Sequence, residues 1–127
     1  MNAYVPPGWP TGVHPPGTER FEDTAVTWLF EFVPPEYRRY GVLRRYPAAL
    51  SRMARQHVAA AIEAARLGFR TARTDLSGTV PPHGVEAVLD IYRREGTRLV
   101  AIAESIELID SALHGTTFTP KLSAPGD

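Results

Sequence analysis

The residues best equipped for chemistry in this chain are its arginines. Thirteen arginines and a single lysine, Lys121, make up the basic set. Wound at 100° per residue, Arg52, Arg55, Arg66, Arg70 and Arg73 fall within an arc of about 80° on one helix face. Arg44 and Arg45 lie just upstream. Such a stripe of guanidinia, about 30 Å long, suits the phosphates of a nucleic acid or an anionic lipid surface. Equally, it suits pairing with the carboxylates of a neighbouring helix. Tyr37, Tyr40 and Tyr46 alternate with Arg38, Arg39, Arg44 and Arg45, a composition that either stacks on bases or packs its rings on the protein body beneath guanidinia.

The remaining candidates are weaker. His14, His57, His83 and His114 are scattered, no two of them three or four residues apart, so no metal-ligand spacing is present. Glu95 stands at a core-type position of an otherwise apolar repeat, where an acid must be paired, protonated or open to water. No glycine-rich phosphate loop, nucleophile elbow or paired-carboxylate pattern occurs. Without cysteine, disulfides, thiolate zinc sites and a cysteine nucleophile are excluded together. No catalytic, cofactor-binding or metal-binding residue is assigned.

Three elements must position these groups. A helix over about 19–33 is expected, capped by Thr18, with Phe21, Ala25, Trp28, Leu29 and Phe32 on one face and Pro34-Pro35 as its stop. Pro35 to Tyr40 reads as a short turn of helix closed by Gly41, and Val42 to Tyr46 as a second short piece. A long helix over about 47–77 opens on Pro47 and carries a small-residue face of Leu50, Ala54, Val58, Ala61, Ala65, Phe69, Ala72 and Leu76. Its partner, over about 82–114, carries Val85, Val88, Tyr92, Leu99, Ile102, Ile106, Ile109 and Leu113 at 3–4 spacing, a heptad seam broken only by Glu95. Large side chains on one helix facing small ones on the other suit close packing. The short link from Ser77 to Pro82 makes the two antiparallel.

In this register Arg52 and Arg55 lie near Glu104 and Glu107, and Arg73 near Glu86, while Arg66 and Arg70 face Tyr92, Val88 and Leu89. His83 approaches Asp75 across the turn. Residues 1–17, with five prolines, are expected as an extended or polyproline-like arm, either a disordered tail or partly docked on the body through Tyr4, Val5, Trp9 and Val13. The helical domain covers 18–115, and 116–127 form a tail.

The net charge of zero hides an asymmetry: residues 34–80 sum to +6, whereas 1–33 and 81–114 each sum to −3. Arginine in place of lysine reads most simply as the codon bias of a GC-rich bacterial genome. No segment reaches the about 20 apolar residues of a membrane helix, and the N-terminus lacks the pattern of a secretory signal. The expectation is a cytoplasmic protein. The hairpin outline resembles the small WXG-type substrates of type VII secretion, but the link reads Ser77-Gly78-Thr79-Val80-Pro81-Pro82 in place of Trp-x-Gly. No Tyr-x-x-x-acid signal follows the last helix either, so the chain is not assigned to that family.

The fold expected is all-α: a long antiparallel hairpin plus a shorter N-terminal helix, a three-helix body with leftover apolar surface. The function expected is non-enzymatic: an interaction or adaptor protein that self-associates as a homodimer or joins a bacterial assembly. Its contact residues would be Val85, Val88, Tyr92, Leu99, Ile102 and Ile106. A polyanion binder using the arginine stripe is the alternative, with nucleic acid ahead of anionic membrane. An enzyme completed by a partner chain comes third.

Overall fold

Two proline-opened helices dominate the architecture, and they run antiparallel. The computed structural model describes residues 4–120, which are all-α with no strand among them. Helix α1 spans Phe21–Leu29, α2 Gly41–Arg45, α3 Pro47–Leu76 and α4 Pro82–Leu113, with 3₁₀ turns at Phe30–Phe32 and Pro35–Arg39. Tail residues from Lys121 onward, and the first three residues of the arm, lie outside the described range.

Local chemistry sets each boundary. Pro47 and Pro82 sit in the first turns of α3 and α4, where a missing amide costs nothing. α3 ends in a type II turn: Ser77 has φ −57° and ψ 129°, Gly78 has φ +79°, and the Thr79 amide donates to the Leu76 carbonyl at 3.0 Å. α4 ends in a Schellman motif, with Thr116 N–H donating to Ser111 O and Gly115 N–H to Ala112 O, both at 3.0 Å.

The N-terminal third departs from expectation. α1 is nine residues long and does not start on Thr18, whose hydroxyl donates instead to the Pro15 carbonyl at 2.6 Å. Its far end tightens into the 3₁₀ turn because Val33, preceding a proline, is extended at φ −126° and ψ 162°. Gly41 opens α2 and does not close the turn before it.

The arm is not extended either. Pro6-Pro7-Gly8-Trp9, Pro10-Thr11-Gly12-Val13 and Pro15-Pro16-Gly17-Thr18 are three successive turns, each closed by an amide donating back to the first proline's carbonyl. Each holds its glycine at φ between +82° and +91°, the third position of a type II turn. These turns dock. Trp9 Nε1–H donates to Val13 O at 2.8 Å, Val13 is buried, and the Trp9 ring packs against Phe21 and Phe118. Ser105 on α4 donates to the Gly8 carbonyl at 2.6 Å, and the His14 amide donates to Thr24 Oγ1 on α1 at 2.9 Å.

The buried residues form two cores. The larger joins Phe21, Ala25, Leu29 and Phe30 to Leu43, Leu50, Ala54, Val58, Leu99, Ile106 and Ile109. The smaller, near the hairpin turn, is Ala72, Val85 and Leu89, flanked by Leu76, Val80, Val88 and Tyr92. Between them the Tyr92 ring lies directly on the Gly68 backbone. A Cβ there would clash with the Tyr92 ring, whereas one on Gly96 would meet nothing within 4 Å.

Glycine inside a helix is less stable than alanine by roughly 0.5–1 kcal/mol, so Gly96→Ala is expected to raise the stability of the isolated chain by about that much. Gly68→Ala is expected to lower it by about 1–3 kcal/mol through overpacking, and Tyr92→Leu to relieve that loss. Urea denaturation of the three variants checks the pair of signs. A stabilising Gly68→Ala would contradict the packing described.

Candidate functional site

Helix lengths decide what is left uncovered. α1 has nine residues and α3 has thirty, or about 14 Å against about 45 Å of axis. α1 and the docked arm therefore cover the half of the hairpin that holds the larger core. The half toward the turn is two helices thick.

On that half a groove of about 630 Å³ runs between α3 and α4. Ile62, Ala65 and Phe69 line it from α3, and Tyr92, Gly96 and Val100 from α4, with Arg66, Arg70 and Arg93 at its rim. Its lining residues recur at i, i+3, i+4, i+7 and i+8 on α3 and at i, i+1, i+4, i+5 and i+8 on α4, one continuous face of each helix. Ile62 also lines a second hollow of about 360 Å³, bounded by Arg52, Arg55, Gln56, Ala59, Ala103 and Glu107, so the two are neighbours along the hairpin. No residue of α1 lines either one.

Phe69 and Val100 are 38% and 41% exposed on this face, and Leu67 and Ile91 stand out at 53% and 64%. A lone exposed apolar residue means little, but a contiguous apolar groove is what contact surfaces are made of.

The expected contact residues divide accordingly. Val85, Leu99 and Ile106 are buried within the chain, and Val88, Tyr92 and Ile102 are half-buried. Only Tyr92 of the six lines the main groove. Two side chains exchange the places expected of them. Leu89, read as facing the arginines, is buried in the smaller core, while Phe69, read as a seam residue, lies at the groove. An ideal α-helix drifts by about 20° per heptad relative to a strict seven-residue repeat, enough to move a position from the seam's centre to its edge.

The arginine stripe is largely neutralised within the chain. Arg55 Nε donates to Glu107 at 2.7 Å and Arg73 to Glu86 at 2.8 Å, both across the hairpin as the register implied. Arg66 pairs with Glu63 on its own helix at 2.6 Å. Arg52 and Arg70 have no carboxylate partner among the described residues, so the expected approach of Arg52 to Glu104 does not form an ion pair. Exposed pairs of this kind contribute about 0–1 kcal/mol each and serve mainly to fix register.

The stronger fastening is one that the periodicity did not reveal. Ser51, fully buried on α3, donates its hydroxyl to Asp110 Oδ1 on α4 at 2.8 Å. Arg55 reaches the other oxygen at 3.7 Å, and His114 Nδ1 stands 2.8 Å from the Asp110 carbonyl. With the serine fully buried between the helices, this hydroxyl–carboxylate bond fastens α3 to α4.

Glu95 is held by its own helix: Arg98 donates to its two carboxylate oxygens at 3.0 and 2.7 Å. That hydrogen bonding holds the Glu95 carboxyl below its usual range and raises Arg98, against a small opposing effect of burial. With 43% of its side chain exposed, Glu95 is a hydrated break in the seam. His57 stacks edge-on against Tyr37 at 5.7 Å, and His83 forms no hydrogen bond or ion pair with Asp75 among the described residues. No group of three or more His, Asp or Glu side chains able to hold a metal occurs among those residues, and no helix there is long and apolar enough to cross a membrane.

No known protein family, curated protein or solved structure matches this chain.

Removing the Asp110 carboxylate strands the buried Ser51 hydroxyl, so Asp110→Ala is expected to cost about 1–3 kcal/mol. Adding Ser51→Ala to it is expected to cost less than the sum of the single changes. Chemical denaturation of the double-mutant cycle measures this, and strict additivity would show that the two side chains are not coupled.

Proposed function

We propose that the chain is a non-enzymatic helical interaction protein of the bacterial cytoplasm that self-associates through the exposed half of its α3–α4 hairpin. The observation that carries this reading is the α3–α4 groove, an apolar channel with Phe69 and Val100 open to solvent where the fold is only two helices thick. A second hairpin laid against it completes a four-helix body, the arrangement in which such faces are ordinarily buried. The second copy also fits the charge at the rim. Arg66 and Arg93 already have their own carboxylates, Glu63 and Asp90, so closing the groove against itself leaves Arg70 as the one rim arginine of each copy without a partner among the described residues. The rest of the molecule suits an adaptor, with a fixed hairpin and a base that remains free for other contacts.

Sedimentation equilibrium at tens of micromolar is expected to give about twice the 14.0 kDa chain mass. Phe69→Glu and Val100→Glu, both at exposed positions, are expected to return the mass to a single chain while leaving the far-ultraviolet spectrum unchanged. A wild-type protein that stays monomeric at high concentration contradicts the proposal.

A further inference from the structure

The connector between α1 and α3 carries a surface unlike the rest of the molecule. All four of its arginines (Arg38, Arg39, Arg44 and Arg45) lack a carboxylate within 4.0 Å among the described residues, as does Arg52 just inside α3. Along the hairpin, by contrast, Arg55, Arg66, Arg73, Arg93, Arg94 and Arg98 each have one. Of the seven arginines without a carboxylate partner among the described residues of a chain with no net charge, four thus fall within 38–45, the others being Arg20, Arg52 and Arg70.

That segment also presents aromatic faces. Tyr40 and Tyr46 are 48% and 56% exposed. Tyr40 is braced edge-on against Tyr37 at 5.7 Å, and Tyr37 in turn packs on His57 and the larger core. Its ring is therefore held in place with much of its surface open. Two of the guanidinia are held as well: Arg44 stands 4.7 Å and Arg38 6.0 Å from the centroid of the buried Phe30 ring. Stacking of this kind orients a guanidinium while leaving its N–H donors available to an anion.

We propose that this connector face, centred on Arg39, Tyr40, Arg45 and Tyr46, binds single-stranded nucleic acid. Cations that track a phosphate backbone, interleaved with aromatic rings that accept unpaired bases, form the recognition chemistry of such strands. A duplex is disfavoured because its bases are already stacked and α2, five residues long, offers no helix to a groove. A lipid surface is disfavoured because Val42 is the only aliphatic side chain of 34–46 among the large exposed hydrophobics, too little to anchor a membrane face. Asp23 and Glu31 line the hollow above Phe30 together with Arg38 and Arg44. The phosphate path is therefore assigned to Arg39 and Arg45, with the Phe30-stacked pair supplying field. The site lies outside the α3–α4 groove and is independent of self-association.

Fluorescence anisotropy of the full chain with a labelled 20-nucleotide oligo-dT and its uridine counterpart tests this. Binding is expected at low salt, with log K falling linearly in log salt at a slope of about −0.7 per phosphate contacted. Arg39→Gln with Arg45→Gln is expected to flatten that slope by about 1.4. Tyr40→Ala is expected to weaken binding at least about fivefold with the slope unchanged, and Tyr40→Phe to restore it. Arg94→Gln, far out on the hairpin, is expected to change nothing, and circular dichroism confirms that each variant keeps its helices. Absence of binding at low salt overturns the proposal. So does a salt slope indifferent to Arg39 and Arg45, or tighter binding to phosphatidylserine vesicles than to either oligonucleotide.

Discussion

The close approach of α3 to α4 is the constraint on which the rest of the structure depends. Ala54, Ala65, Gly68 and Ala72 on α3 allow the α4 side chains to come nearly to its backbone, and the Tyr92 ring packs against Gly68. Such packing has no slack, because interiors are dense and a single added methyl group must displace something. It also has no choice of register. Once Tyr92 is on Gly68, Arg73 meets Glu86 at one end and Ser51 meets Asp110 at the other. The buried hydroxyl–carboxylate bond makes the wrong alignment costly, since a slipped helix would leave Ser51 without a partner.

From that constraint follows the division of the molecule into two halves. The arm, α1 and the connector gather at the end where the hairpin's own apolar surface is widest, around Leu50, Val58, Ile106 and Ile109. They are gathered there, and α1 spans only about 14 Å of the about 45 Å of α3, so the other half keeps an open groove with hydrated charges at its margins. The polar chemistry divides the same way. Arginines on the hairpin are matched by carboxylates at nearly every level, whereas those of the connector are stacked on Phe30 or left free. The groove and the connector are thus separate surfaces of different chemistry: apolar in one case, cationic and aromatic in the other.

The long elements were legible in the sequence because their signals are local. Pro47 and Pro82 announce helix starts, Gly78 and Gly115 mark exits, and the ends of α3 and α4 fall within one residue of expectation. What escaped was nonlocal or misweighted. The three Pro-x-Gly-x turns of the arm are visible as a pattern, but five prolines suggest an extended chain unless the glycine two places after each turn's first proline is given its weight. α1 is shorter than its apolar spacing implies because Thr18 serves the turn before it. The Ser51–Asp110 clamp joins residues 59 positions apart, and periodicity names faces without naming which polar pair meets across them. Leu89 and Phe69 changed places for the same reason: a seam read from spacing alone has a centre but no sharp edge. The groove could be inferred only as leftover apolar surface, since its position depends on how far α1 reaches.

Hydrogen–deuterium exchange followed against protein concentration tests most directly the claim that a second copy completes the thin half of the hairpin. Amides in segments 62–72 of α3 and 88–100 of α4 are expected to gain protection as concentration rises from below to above the association midpoint. Those around Leu50, Val58 and Ile109 are expected to stay constant. Protection that is independent of concentration throughout, or that rises at the α1 end instead, would contradict the account.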